Sequence, residues 1–439
     1  MPYDPGTQNT PIDISTAPLH VPEDPTMTEA TTGCPFHDGR VVYDYSPGDA
    51  EHVADPRPFL AKARAETPLF YSPRHDGFWT LTRYADVYAA TRDGDRFSSA
   101  VVGVTMPEKV YAREHPYIPV ETDDPEHNEY RSIIAPLLTR SAVKRLEPAI
   151  VEIVDEQLAS FEGRDRADLV QEFALPMVSR VLMLAMGMPA EDAPSVVDVT
   201  MRMFHGRIND KAAAATATAE FDAYLRKNIE AYKAGEVQGD SIFSRMVAAR
   251  LKDGRALVDW ELHMFAANIF IAGFETTINA IGSALWWLSR DLETRRRIAS
   301  EPEVIDTAIE EFLRYFTPVQ IFGRNAKTDI ELLGQPIAEG EGIFLHYGSA
   351  NRDSATFTTA DEIDIDRAPN RHLAFGSGIH FCMGAQLARL EIKVALQHVL
   401  ARFPDYTPAP DAEPEWTPSA DQRGLWRLPV LLQATGGRS

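Results

Sequence analysis

Cysteine is almost absent: the 439 residues hold two, Cys34 and Cys382. That excludes a disulfide-stapled scaffold and fits a reducing, cytoplasmic compartment. Positive charge is also short. Lys and Arg number 43 against 65 Asp and Glu, a net charge of −22. Binding to nucleic acid or to an anionic membrane is thereby excluded as a global property, though a local basic patch stays open. No apolar run reaches 18 residues, so no membrane-spanning helix is expected. The opening stretch Met1-Pro-Tyr-Asp-Pro-Gly-Thr-Gln8 has no basic region leading into an apolar one, so no signal peptide or anchor is expected. Apolar residues make up 44% and charged residues 25%, the proportions of an ordinary globular protein.

Residues 1–44 are rich in Pro, Thr and Asp without periodicity and read as a loosely packed or mobile arm. Cys34-Pro-Phe-His37 within it reads as an incidental patch. Leu69-Phe-Tyr71 and Phe78-Trp-Thr-Leu-Thr82 flank Asp76-Gly77, a hairpin pattern. From about 125 to 315 the 3.6-residue period dominates, over 130–138, 143–161, 173–186, 221–232 and 259–288. Strand patterns return at Ile330–Leu333 and Ile343–Tyr347. A last helix is expected over about 384–402, then a short strand at Leu428–Leu432. With no repeat and no clean linker, residues 45–439 read as one large, mainly α domain with a small β region.

The most informative segment is Phe375-Gly-Ser-Gly-Ile-His-Phe-Cys382-Met-Gly384, followed by the helical pattern Ala385–Glu391. A thiol at a helix N-terminus meets the positive end of the dipole and free backbone N–H groups, which favour the thiolate. Gly376, Gly378 and Gly384 permit tight turns and the close approach of a flat partner. Taken alone, such a cysteine is an inert packing residue or a hydrolytic nucleophile with a nearby His. In this setting it also suits an axial haem thiolate, which pushes electron density onto iron.

Two further patterns stand out. The apolar helix 259–288 carries Ala272-Gly273-Phe274-Glu275-Thr276-Thr277 at its middle. Gly and Thr there permit a bulge or kink, and a buried Glu–Thr pair is costly unless hydrogen-bonded. Glu275 in a structural ion pair and Thr276 at a bend is the plain alternative to a proton path. Glu311-Phe-Leu-Arg314 places opposite charges on one helical face, with Arg367 as a candidate third member.

Together with Gly348-Ser-Ala-Asn-Arg-Asp353, these segments resemble soluble bacterial cytochromes P450 from about residue 45 onward. The resemblance implies the cytochrome P450 fold and non-covalent haem b (iron protoporphyrin IX), since Cys-x-x-Cys-His is missing. The Cys382 thiolate would be the axial ligand, with Phe375, Gly376, Gly384, Ala272 and Gly273 against the ring. His127, Arg131, Arg324 and His380 would hold the propionates, and Thr276 with Glu275 would deliver protons. Glu311, Arg314 and Arg367 would be structural. The implied activity is monooxygenation: O2 is reduced by two electrons and one oxygen atom enters the substrate.

Electrons would come from a separate [2Fe–2S] ferredoxin and its NAD(P)H-dependent reductase, docking on Arg131, Arg140, Lys144, Arg145 and Arg389. The enzyme would be a monomer. His115, Asn268, Ala272, Val319, Phe322, Leu425 and Trp426, with the loop 101–117, would line an apolar pocket. A small or medium hydrophobic substrate such as a terpenoid or aromatic is expected. Residues 117–126 are nearest the camphor-hydroxylase branch. A peroxide-driven or phenol-coupling variant, or a haem-thiolate sensor or electron carrier, remains the alternative.

Overall fold

The computed structural model describes residues 40–100, 114–237, 239–419 and 421–432. Cys34-Pro-Phe-His37 and most of the expected pocket loop 101–117 lie outside these residues. At the described end of the expected arm, Tyr43 N donates to Tyr71 O (2.9 Å) and Tyr71 N to Val41 O (2.8 Å), so residues 41–43 run along the first strand.

The expected hairpin forms as Leu69–Ser72 and Phe78–Leu81, with Leu69 opposite Leu81. His75, Asp76 and Gly77 all take positive φ in the turn. Both strands are buried throughout. The second pairs in parallel with Gly342–His346, which pairs antiparallel with Ile321–Ala326, and Phe97–Ser98 closes the edge. This five-stranded sheet sets Arg324 opposite Ile343.

The remainder is largely helical and packs around one long helix, Asp259–Arg290. At 1.5 Å per residue it spans about 48 Å. Phe265, Phe270, Phe274, Ile281, Leu285 and Leu288 on it are almost wholly inaccessible. Gly282 is required by packing, since a Cβ there would sit 2.9 Å from Val170 Cγ2. The expected bulge at Ala272–Thr277 does not break the helix, which runs α-helical throughout. What remains is the Thr276 hydroxyl donating to the Ala272 carbonyl at 2.8 Å.

Three departures from the periodic pattern have local causes. The expected helix 143–161 divides into Arg140–Lys144 and Glu147–Ala159, because Pro148 fits a first turn and not an interior. Helix Glu126–Ile134 passes into a 3₁₀ turn at Ala135–Leu137, which contains Pro136. The expected all-helical stretch is interrupted by the strand Arg166–Asp168 and a π-helical turn, Leu169–Ala174. Asp168 ends the strand by accepting from Val170 N and Gln171 N, both at 3.0 Å. The strand pairs with Pro429–Leu431, so its partner lies beyond the reach of any local pattern.

Two helical stretches, Leu169–Met186 and Asp259–Arg290, prove long and apolar enough to cross a membrane by length and composition. The expectation of none counted only unbroken apolar runs. Both pack largely inside the protein, as core helices do.

Glu311 anchors the core where helix Val304–Phe316 meets the loop leading to Cys382. Arg314 gives it two bonds of 2.8 Å, Arg367 Nε one of 3.0 Å, Asn370 Nδ2 one of 3.0 Å and Asp364 N one of 2.8 Å. Arg314 also donates to the carbonyls of Asn351, Ala360 and Glu362. Glu311 and Arg314 are wholly inaccessible. Both carboxylate oxygens of Glu311 and the Arg314 fork are met, the condition under which a buried ion pair is tolerated. Removing the anion would strand two guanidinia. Glu311→Gln should therefore cost about 3–5 kcal/mol, read as a lowered midpoint in thermal or urea unfolding of the purified protein.

Candidate active site around Cys382

Cys382 closes a tight loop. Its N–H donates to Phe375 O at 2.9 Å, and Gly376 N donates to Leu373 O at 2.9 Å. Gly376 (φ 68°) and Gly378 (φ 70°) take the left-handed conformation the loop needs. A Cβ on Gly378 would also meet Thr91 O at 2.7 Å. Gly384 does not belong with them. Its φ is −76°, and a Cβ there would lie an ordinary 3.9 Å from the Cys382 sulfur. Behind the loop, Arg389 stacks 4.4 Å over the Phe375 ring.

Two effects oppose each other at the thiol before helix Ala385–Arg402. Burial pushes Cys382 up, and this outweighs the opposing pull of Gly384 N–H, Arg131, Arg389 and Ala385 N–H. The residue is nonetheless accessible on one side. Ala272 is accessible too, although it sits at the middle of the buried central helix. A coordinated metal would favour the thiolate, as cations do on a ligating thiol.

Four groups expected at the propionates gather beside the loop. The His127 and His380 rings lie 4.0 Å apart. Neither nitrogen of the buried His127 has a hydrogen bond, and neither does His380 Nε2. The nearest carboxylate to His127 is Asp124, 3.6 Å from Nδ1. Burial, then Arg131, holds His127 below its ordinary range. Burial, then Arg324, His127 and Arg131, takes His380 down to about 2. Arg131 donates to the Phe381 carbonyl, and Arg324 reaches Gly323 O at 2.7 Å. Among the described residues neither arginine has a carboxylate partner, though Arg324 is 5% exposed. Orphaned imidazoles beside two uncompensated guanidinia fit a dianion, and a porphyrin with two propionates supplies one.

On the central helix, Glu275 accepts from Gln422 Nε2 at 2.9 Å, and Asn279 Nδ2 donates to Gln422 Oε1 at 3.3 Å. Neither Gln422 nor Asn279 carried a sequence signal. Gly424 could have supplied one, because a Cβ there would lie 2.1 Å from Asn279 Oδ1. The missing side chain of Gly273 faces Leu182 of the neighbouring helix, 3.1 Å from where a Cβ would stand.

The expected pocket residues are less gathered. Asn268 spends its amide on Ile118 O at 3.1 Å. His115 stacks on Trp260 with centroids 4.4 Å apart. Trp260 is twelve residues from Ala272, about 18 Å along the helix axis. Leu425 is 1% exposed and packs on the helix at Gly282. Trp426 is half-buried and gives its carbonyl to Gln171 Nε2 at 2.7 Å. Val319 bridges to Gln422, and the Phe322 ring lies 6.1 Å from that of Tyr347.

The cationic patch contracts. Arg389 is held bidentately by Glu310 at 2.6 and 2.7 Å, so it is not a free docking cation. Arg131 is turned to the Phe381 carbonyl. Arg140, Lys144 and Arg145 remain exposed on one short helix.

Comparison with known proteins agrees with this geometry. The family model described as Cytochrome P450 matches residues 73–421. The chain is 32% identical to the polyketide biosynthesis cytochrome P450 PksS of Bacillus subtilis, over 88% of this chain and 98% of that one. It is 34% identical to vitamin D(3) 25-hydroxylase of Pseudonocardia autotrophica, over 86% and 94%. The solved PksS structure superposes with a TM-score of 0.79 over 89% of this chain and all of that one, at 32% identity. A Bacillus megaterium CYP109E1 complex with testosterone gives 0.78 at 29% identity, over 87% and 99%. The chain belongs to the cytochrome P450 family and is a monooxygenase with haem b on a cysteine thiolate.

Glu310 yields a pH test. Burial would raise its carboxyl, but Arg389 and His372 outweigh that and bring it to about 2 from an ordinary 4.5. A depressed acid stabilises fully above its unfolded value and loses that contribution as pH falls through the folded one. The melting-temperature gap between the native chain and Glu310→Gln should hold above pH 4.5 and shrink steadily toward pH 2.

Proposed function

We propose that residues 45–439 form a monooxygenase domain that hydroxylates a medium-sized, mostly hydrocarbon substrate, using electrons from a [2Fe–2S] ferredoxin. The observation that carries this is the fixed acid beside an accessible step in the central helix: Glu275, held by Gln422, next to Thr276 and Ala272. A sensor or electron carrier has no need of a carboxylate at such a half-buried position in an apolar helix. Haem b on the Cys382 thiolate supplies the electron-rich iron that favours O–O cleavage.

The chain's own residues would manage protons and shape. Thr276 gives its proton to the Ala272 carbonyl, so its Oγ1 presents lone pairs to a water and orients that water's remaining proton. Glu275 Oε2 is tethered by the Gln422 amide, and the carboxylate can accept a proton from solvent and return it along the same water chain. His127, Arg131, Arg324 and His380 would grip the propionates, while Phe375 and the loop glycines hold the sulfur in place. The relative named for vitamin D(3) hydroxylation and the neighbour solved with testosterone support an isoprenoid-derived substrate.

Three variants test the reading. Cys382→Ala should abolish the strongly red-shifted absorption band of the reduced, CO-bound protein. Thr276→Ala and Glu275→Gln should keep that band while product formation falls by about 10²-fold or more. Normal product yield in both would defeat the proton path. If no member of a steroid and terpenoid panel is oxidised with ferredoxin, reductase and NAD(P)H, the sensor reading prevails. Electron delivery has its own test. Reversing Arg140, Lys144 and Arg145 to Glu should weaken ferredoxin binding and flatten its salt dependence, measured by stopped-flow reduction at several ionic strengths.

A further inference from the structure

A second cleft lies apart from Cys382, between helix Arg57–Glu66, the Trp286 turn of the central helix, Tyr315 and Arg423. Its cavity measures about 70 Å³. A water needs roughly 10–15 Å³ on such a scale, so the space suits a handful of waters or one small polyatomic ion.

Four guanidinia line it: Arg57, Arg64, Arg352 and Arg423. Two carry carboxylate partners. Arg57 grips Asp55 at 2.6 and 2.7 Å, and Arg352 holds Asp361 at 2.9 Å. The other two have none among the described residues. Arg64 Nη1 reaches Ser349 Oγ at 3.0 Å, and Arg423 reaches the Ala54 carbonyl at 3.4 and 3.5 Å and lies 4.8 Å over the Trp416 ring. Asp353 contributes to the field at Arg64, but its oxygens accept from Tyr84 N and Ala355 N. Burial draws Arg423 down to about 10, with Arg57 and Arg352 adding to the pull. Burial, with Arg352 adding, also lowers Arg64. Both cations remain charged at neutral pH; Asp55 offsets Arg423 and Asp361 with Asp353 offsets Arg64 only from a distance, for no carboxylate is hydrogen-bonded to either among the described residues. Trp286 adds an unmet donor, for its buried Nε1–H has no acceptor.

Unpaired donors of one sign around a small cleft define a ligand of the opposite kind. We propose that this cleft binds a small oxyanion, a phosphate or carboxylate group, between Arg423 and Arg64. Such a group accepts bidentate bonds from a guanidinium fork. Its seat adjoins the active site through the chain, because Arg423 follows Gln422, whose amide tethers Glu275. The same loop is pinned by Arg423 N donating to Pro318 O at 2.9 Å and by Gln320 N donating to Asp421 O at 2.7 Å. An anion here braces the segment that positions the acid.

The test uses holoenzyme exchanged into chloride at fixed ionic strength, with inorganic phosphate and acetate titrated in separate arms. Thermal unfolding is followed at the haem absorption. In the bound arm the midpoint should rise saturably, by about 3 °C at a hundred-fold excess over the dissociation constant. The arm that responds tells phosphate from carboxylate. Arg423→Gln and Arg64→Gln should each weaken the half-saturating concentration about tenfold or more, and the double variant should not respond. Retention of the red-shifted CO band shows that the variants are folded. An equal rise in the double variant, or a non-saturating rise in the native protein, would mean an adventitious ion only and would overturn the proposal.

Discussion

A sulfur that is expensive to ionise governs the site. Burial pushes the Cys382 thiol up, and the backbone donors and arginines around it fall short of reversing that. A positive metal centre would favour the anion, and the loop's work is geometric. Phe375 O holds the Cys382 N–H, two left-handed glycines bend the chain, and Arg389, locked by Glu310, backs the Phe375 ring. Rigidity replaces charge as the contribution of the fold, as holding a group in its productive geometry requires.

Uncompensated charge recurs as a signature of what the chain is built to hold. Within the Glu311 cluster the charges are balanced and the carboxylate is fully hydrogen-bonded, and the result is a structural anchor. Beside Cys382 the reverse holds: among the described residues two guanidinia lack carboxylate partners, and three buried imidazole nitrogens of His127 and His380 lack hydrogen bonds. The Arg64–Arg423 cleft shows the same imbalance on a smaller scale. Burying a cation without its counter-charge costs several kcal/mol, so these are places where a ligand completes the electrostatics.

Much of this was legible in the chain. The hairpin, the central helix, the final helix and the Glu311–Arg314 pair followed from periodicity, turn residues and charge spacing, and Arg367 joined the pair through the family resemblance. Other features were not legible. The strand at Arg166–Asp168 depends on a partner near the C-terminus, and Gly273 shows its packing against Leu182 only when the helices meet. Arg389 reads as a surface cation until Glu310, 79 positions away, is seen to hold it.

The sequence alone determined the chemistry available: one thiol behind a glycine loop, an acid–threonine pair in an apolar helix, and the cations that a dianionic cofactor needs. Local spacing fixes the first two, because helix faces, turns and caps are decided within a few residues, while the cations were assigned through the family resemblance. Only the tertiary structure decided which charges are balanced and which donors are orphaned. Gln422 meets Glu275 across 147 positions of chain, and Arg64 and Arg423 come to line one cleft. Burial and long-range pairing set the protonation and counter-charge of each group, and neither is a property of the local sequence.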